Sequence, residues 1–318
     1  MALALDDLKS KKQIADRTFR GMTIAGGVTI VLILGLIAWT IASKSSLAFR
    51  TEGLSFFTER RWAPASNVYG ALSFIFGTSV TALIAVVLAV PVSLGIALFT
   101  TQVAPSWLKR PIVAMTDLVA VVPSVVFGLW GIIFLAPKLV PVFTTVSGWF
   151  HGVPILGRIF GPASAGRTFM TAGLILAIMI TPIFTSFSRE VIETCPPTDR
   201  DGALALGATR WEMITGAVLT HSAGGIVGAV MLGLGRAMGE TIAAALVIGS
   251  SPAITANLFS SGDSLPSVIA FEWGEATSDA KRSALIAMGL TLFVMTLIVN
   301  FAATYVVNRA MKRMRGES

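Results

Sequence analysis

The chain has 318 residues, of which 54% are hydrophobic and only 13% charged, and its mean hydropathy is +0.79. Soluble domains carry about a quarter charged residues, so half of the usual solvating charge is missing, which excludes a soluble enzyme and a disordered chain alike. The net charge of +7 would suggest nucleic acid in a soluble protein; here the basic residues gather at the two ends, which points to membrane topology instead.

The basic ends are Lys9, Lys11, Lys12, Arg17 and Arg20 before the first apolar run, and Arg309, Lys312, Arg313 and Arg315 after the last. Short basic flanks of this kind stay on the cytoplasmic side, so membrane lipid is an expected partner and nucleic acid is not. About 20 apolar residues match a hydrocarbon core of roughly 30 Å, and the pattern predicts six spans: 22–42, 71–99, 112–136, 169–188, 222–249 and 283–307. The fold class is therefore an all-α membrane protein. It divides into a basic segment 1–21, a transmembrane domain 22–307 and a basic tail 308–318. An even number of spans puts both termini on one side, the cytosol. The first run begins near Met22 and no small-residue cleavage pattern follows it, so it reads as a span and not a signal peptide.

Between the spans, 43–70, 137–168 and 250–282 fall outside. The segment 137–168 is rich in Pro and Gly (Pro137, Pro141, Pro154, Gly157, Gly161, Pro162) and holds Trp149 and Phe150. It is expected to lie in the interface or fold over the bundle, since irregular backbone is not tolerated bare in lipid. In the third span Asp117 is the odd charge, answerable by Lys109 or Arg110 at the boundary. Pro123 follows it, and Thr181-Pro182 interrupts the fourth span. Kinked packing or a pathway lining would explain either proline.

The inside loop 189–221 is the most informative polar stretch. Pro196-Pro197 stop the fourth helix. Thr198 to Asp201 and Thr209 to Glu212 both have capping-box spacing, and Gly207 can take the left-handed turn between them. Two short helices are predicted, 199–206 and 210–218. The first offers a small apolar surface at Ala203, Leu204, Ala205 and Leu206. They lie on the membrane face or dock into a protein groove; Asp201 and Glu212 would repel anionic lipid, which favours the groove. Cys195, in the same loop, is the one cysteine, so no intrachain disulfide is possible and a free thiol is expected.

The fifth span holds the sharpest anomaly. Arg236 and Glu240 sit near its middle, where an ionisable group costs several kcal/mol (about 2.5–3.5 for Arg) unless paired or wetted. Spaced i,i+4, they share one face of a continuous helix and can neutralise each other. Either the pair fixes helix packing, or Arg236 faces the transport route and meets an anion with its fork of donors while Glu240 holds it. Gly224, Gly225, Gly228, Gly233, Gly235 and Gly239 make the same helix small-faced, a close-packing pattern in membranes.

The catalytic inventory is nearly empty. There is no phosphate-cradling P-loop; His151 and His221 are far apart, so a His-based metal site is not expected. Ser164 sits in a near miss for a nucleophile elbow, and Gly233 to Gly239 is spaced one residue too long for a dinucleotide fingerprint. A non-enzyme follows, with no metal or cofactor expected on this chain.

These residues resemble a family. Asp201-Gly202-Ala203, three residues, Gly207, then Ala217 and Leu219-Thr220 resemble the EAA loop of ABC-importer permeases, with Asp for Glu, Gly for the first Ala, Ala for Ile and Thr for Pro. The stretches 91–99, 107–111, 123–131 and 233–241 look like the phosphate-specific importers, the PstC-type permeases in particular. The resemblance implies a type I importer fold with six helices. It also implies a homologous permease (PstA type) as heterodimer partner, two ATPase subunits (PstB type) that use ATP and Mg, and an extracytoplasmic phosphate-binding protein (PstS type). It makes Asp201, Gly202, Ala203, Gly207 and Glu212 the ATPase-coupling loop and places Arg236 and Glu240 on the route of inorganic phosphate. A permease for sulfate or molybdate is the nearest alternative, and an ATPase-independent ion-coupled transporter a more distant one. The membrane is expected to be the bacterial cytoplasmic one.

Overall fold

A computed structural model describes residues 2–163 and 165–314. Ser164 and Arg315, and the side chains of Lys9, Lys11, Lys12, Lys312 and Arg313, lie outside the described residues. In chain order the elements are α1 (Ala2–Lys44), α2 (Ser46–Glu52), α3 (Ser55–Thr58), a hairpin of β1 (Trp62–Ala63) and β2 (Val68–Tyr69), and α4 (Leu72–Leu98). Then come α5 (Ser106–Val121), α6 (Ser124–Trp130), α7 (Ala136–Phe150), α8 (Leu156–Ile159) and α9 (Phe169–Glu193). The last are α10 (Pro197–Ala205), α11 (Arg210–Met213), α12 (Leu219–Gly239), α13 (Ile242–Ile248), α14 (Leu265–Glu272) and α15 (Asp279–Met314). Single π-helical turns at Phe99–Val103, Gly131–Leu135 and Ile214–Val218 extend α4, join α6 to α7, and join α11 to α12.

Among the described residues six helices are long and apolar enough to cross a membrane: Asp16–Glu52, Leu72–Val103, Ser124–Phe150, Phe169–Glu193, Arg210–Gly239 and Asp279–Tyr305. The number matches the expectation, but three spans differ from it. The first is longer than 22–42 at both ends. The third is 124–150 and not 112–136: Pro123 has no N–H to give and pushes Val122 to an extended ψ of 126°, so the chain breaks there. The stretch 137–150, expected outside, continues the helix, because Pro137 falls where the π turn hands over to α7 and Pro141 is accommodated inside it. The fifth ends at Gly239, ten residues early. Thr181-Pro182 does not interrupt the fourth span, since α9 runs unbroken. Ser93 donates to the Thr181 carbonyl at 3.1 Å.

α9 is the axis of the bundle, with α4, α12 and α13 packed round it. Their buried face joins Ala82, Ala85, Ile175, Leu176, Ile180, Met238 and Val247 in one core. Small residues let the helices close: a side chain at Gly173 would collide with Ile84, and one at Gly225 with Val191. A second core closes the end that carries the hairpin, through Phe56, Phe74, Leu265, Leu285 and Met288. There the Trp62 indole donates to Glu272 Oε1 at 2.9 Å, and Lys281 pairs with Glu272 at 3.0 Å. A third, smaller core of Ala97, Ile192, Cys195, Ile214 and Val218 seats the loop at the opposite end. The apolar part of α1 is exposed along its length, Trp39 by 74%.

Candidate translocation face and coupling loop

The depth of the fifth span can be read from what its glycines touch. Gly225 lies against Val191 and Gly233 against Phe184, while Val247 and Ile175 both crowd Gly131. The join between α12 and α13 thus falls between the levels of Phe184 and Ile175, near the middle of α9. At this join Gly239 ends the helix and Glu240 is extended, φ −69° and ψ 122°. Thr241 turns back to Gly239 through its hydroxyl at 3.2 Å, and α13 begins at Ile242. Irregular backbone at membrane depth persists only where protein covers it or a wet cavity receives it. Gly239 and Arg236 are both exposed on this chain, so the break faces something outside the subunit.

The break corrects the expectation that Arg236 and Glu240 share one helical face. Arg236 is in the last turn of α12, where a cation favours the negative end of the helix dipole. Glu240 is the residue past that end, half-buried, and the two make no ion pair. Among the described residues the guanidinium is therefore unpartnered, and it is open to water or a neighbour. Gly224, Gly228 and Gly239 share that open side, where a side chain would meet nothing within 4 Å. Only Gly225 and Gly233 of the six glycines serve tight packing against α9.

Asn300 was missed by the sequence reading. It lies on α15 beside Gly235, and its Oδ1 is buried without a hydrogen-bond partner. The available signal was an amide inside an otherwise apolar span. Asp117, expected within a span, is exposed on α5 outside all six. Its expected partner Lys109 instead pairs with Glu193 at 2.8 Å, tying α5 to the end of α9.

The loop after α9 is well ordered by its own chemistry. Pro196 precedes α10, whose start is set by Pro197 and not by a capping box at Thr198. A Thr198 box would need the helix to begin two residues later, and proline at the first position already supplies the φ. Asp201, Gly202 and Ala203 lie on α10; the first two are exposed, and Ala203 packs on the core beneath. Gly207, at φ +88°, ends the helix as expected, and Ala208 donates to the Ala203 carbonyl at 3.1 Å. Arg200 Nη2 donates to the Ile192 carbonyl at 3.0 Å and fixes α10 to the end of α9. The Thr209–Glu212 capping box is complete: Thr209 N–H donates to Glu212 Oε2 at 2.7 Å, and Glu212 N–H to Thr209 Oγ1 at 3.3 Å. Its helix is not a separate short one, because the π turn carries it straight into the fifth span. Cys195 is a free, buried thiol. Beside its exposed charges the loop also leaves large apolar side chains in solvent: Leu206 is 91% exposed and Trp211 67%.

Residues 89–312 match the family described as the binding-protein-dependent transport system inner membrane component. The chain belongs to that family. It is 38% identical over 297 residues to the phosphate transport system permease protein PstC of Mesorhizobium japonicum, covering 93% of this chain and 91% of the relative. It is 40% identical over 286 residues to the protein of the same description from Xylella fastidiosa, covering 90% and 88%. Its fold is similar to that of the MetNI methionine ABC transporter in an inward-facing conformation, with TM-score 0.52 and 15% identity over 76% of this chain and 94% of that one. A bacterial ABC transporter involved in alginate import gives TM-score 0.51 and 17% identity over 89% and 95%. This member of the family is a multi-pass membrane permease with the type I ABC importer fold, a transport component and not an enzyme.

Proposed function

We propose that this chain is a permease subunit of an ATP-driven phosphate importer and forms half of its pathway by alternating access. The observation that carries the reading is the mid-depth break of the fifth span beside an unpartnered guanidinium. The naming of its relatives as phosphate permeases supports the substrate. In this reading the open α12 face meets a homologous permease (PstA type), and the two walls enclose a wet route. Arg236 offers phosphate a planar fork of donors that matches two oxygens at once. Glu240, just past the helix end, keeps a negative charge beside the route so that the anion does not bind too tightly to leave.

The loop bearing α10 lies in the cytosol with both termini, in the bacterial cytoplasmic membrane. Asp201, Gly202, Ala203, Gly207 and Glu212 shape the surface received by the ATPase subunits (PstB type), which use ATP and Mg; this chain binds neither. Leu206 and Trp211 supply the apolar contact there. An extracytoplasmic phosphate-binding protein (PstS type) delivers at the hairpin end. Closure of the ATPases moves α10, and Arg200 passes that motion to α9. Transport requires that the anion be held differently in the two states.

The test is uptake of labelled phosphate into vesicles holding the assembled complex, with ATP at the ATPase side. Uptake that needs ATP and is unaffected by excess sulfate or molybdate is expected. Equal competition by either anion would assign another oxyanion, and uptake driven by an ion gradient without the ATPase would overturn the reading.

A further inference from the structure

At the hairpin end a groove of about 510 Å³ opens between the end of α1 and the start of α15. Its walls include Lys44, Asp279 and Arg282, with Trp273, Leu47 and Ile286. Three formal charges therefore face one groove, all exposed, and none makes an ion pair among the described residues. Arg282 is held in place, because its Nε donates to the Ala276 carbonyl at 2.8 Å and leaves the terminal nitrogens free. The floor is fixed as well: Ser283 Oγ donates to the Lys44 carbonyl at 2.9 Å and accepts from the Ala48 N–H at 3.0 Å, locking α1, α2 and α15 together.

The height of this groove matters. Lys44 is the last residue of α1, just past its apolar run, and Asp279 and Arg282 are in the first turn of α15, so the charges sit at the ends of two long apolar helices. Leu47 and Ile286 supply apolar wall, and Trp273 is the residue type that settles at a membrane–water boundary. Cations, an acid and an apolar wall at one interface match an amphiphile that carries both signs in its head.

We propose that this groove binds a phospholipid headgroup of the leaflet at the hairpin end: Lys44 and Arg282 take the phosphate, and Asp279 takes a headgroup ammonium such as that of phosphatidylethanolamine. The site is separate from the α12 face and does not depend on the substrate assigned above. A free phosphate ion shares part of this chemistry but has no use for the acid or the apolar wall.

The test is lipid retention by the purified chain, exchanged into detergent with equal phosphatidylethanolamine and phosphatidylglycerol and read by native mass spectrometry. The double variant Lys44→Gln, Arg282→Gln is expected to retain about a hundredfold less of both lipids, since each of the two charge-assisted hydrogen bonds contributes about one power of ten. Asp279→Asn should lower phosphatidylethanolamine relative to phosphatidylglycerol. Lys44→Gln alone, which removes no contact within the protein, guards against loss of fold and should weaken both lipids. Unchanged retention in all three variants overturns the proposal. So does displacement of the lipid by millimolar inorganic phosphate, which would make this a free-anion site. Retention unchanged while affinity for an extracytoplasmic protein falls would make it a protein-docking patch, and overturns it too.

Discussion

Asp263 sits in the segment between α13 and α14, outside the spans, and is only 7% exposed. Burial pushes its acid up from the ordinary 3.8 to about 6. The hydrogen bond from the Ser264 N–H, at 2.8 Å, and the nearby Ser267 hydroxyl oppose this, and the negative charge of Glu272 adds to it. A carboxyl with a raised folded value binds its proton more tightly in the folded state than in the unfolded one. Its effect is therefore most favourable below pH 4 and is lost as pH rises toward 6; above that the buried charge is a liability of about 3 kcal/mol, at about 1.4 kcal/mol per pH unit. Asp263→Asn keeps an oxygen that accepts from Ser264 and removes the charge. Thermal unfolding of both proteins in detergent, at one scan rate from pH 4 to 8, checks this. The variant should match the wild type near pH 4 and exceed it by about 3 kcal/mol at pH 7. Parallel pH profiles, or a wild type that gains on the variant as pH rises, would refute the reasoning.

Other positions make sharper or milder demands. Gly77→Ala should lower stability by about 1–3 kcal/mol in thermal unfolding, because the new methyl meets the Asp263 carbonyl and backbone cannot swing aside. Gly228→Ala meets nothing within 4 Å; the isolated chain should gain up to about 1 kcal/mol from helix propensity, while co-purification with the homologous permease falls. Thr209→Ala removes the hydroxyl that accepts from the Glu212 N–H, while the backbone N–H to Glu212 stays, and should cost about 1 kcal/mol, read as faster hydrogen exchange over residues 210–213. Leu206→Asp should leave stability within about 0.5 kcal/mol, since the side chain touches little, but reduce the ATPase activity recovered with the complex.

Composition and apolar run length were enough to read the number of spans, because burying backbone in hydrocarbon leaves few solutions. Local chemistry was legible where one residue decides it: Gly207 takes its left-handed turn and Thr209–Glu212 closes its box. Proline was read less well. Pro123 breaks the chain although apolar residues run through it, whereas Pro141 and Pro182 sit inside helices that continue past them. Hydropathy counts transfer free energy and is blind to which carbonyls find a donor. The same blindness hid the break at Gly239, since an uninterrupted apolar run reads as an uninterrupted helix. Arg236 was found from its cost in lipid, but Asn300, beside Gly235, needed the fold to bring α15 next to α12.

The open guanidinium beside the broken fifth span is tested most directly by phosphate transport in Arg236 variants of the assembled complex. Arg236→Ala should abolish ATP-dependent uptake while the subunits still co-purify and still hydrolyse ATP, and Arg236→Lys should restore only part of it because one ammonium cannot span two oxygens. Uptake at the wild-type rate in Arg236→Ala, or a complex that no longer assembles, would contradict the account.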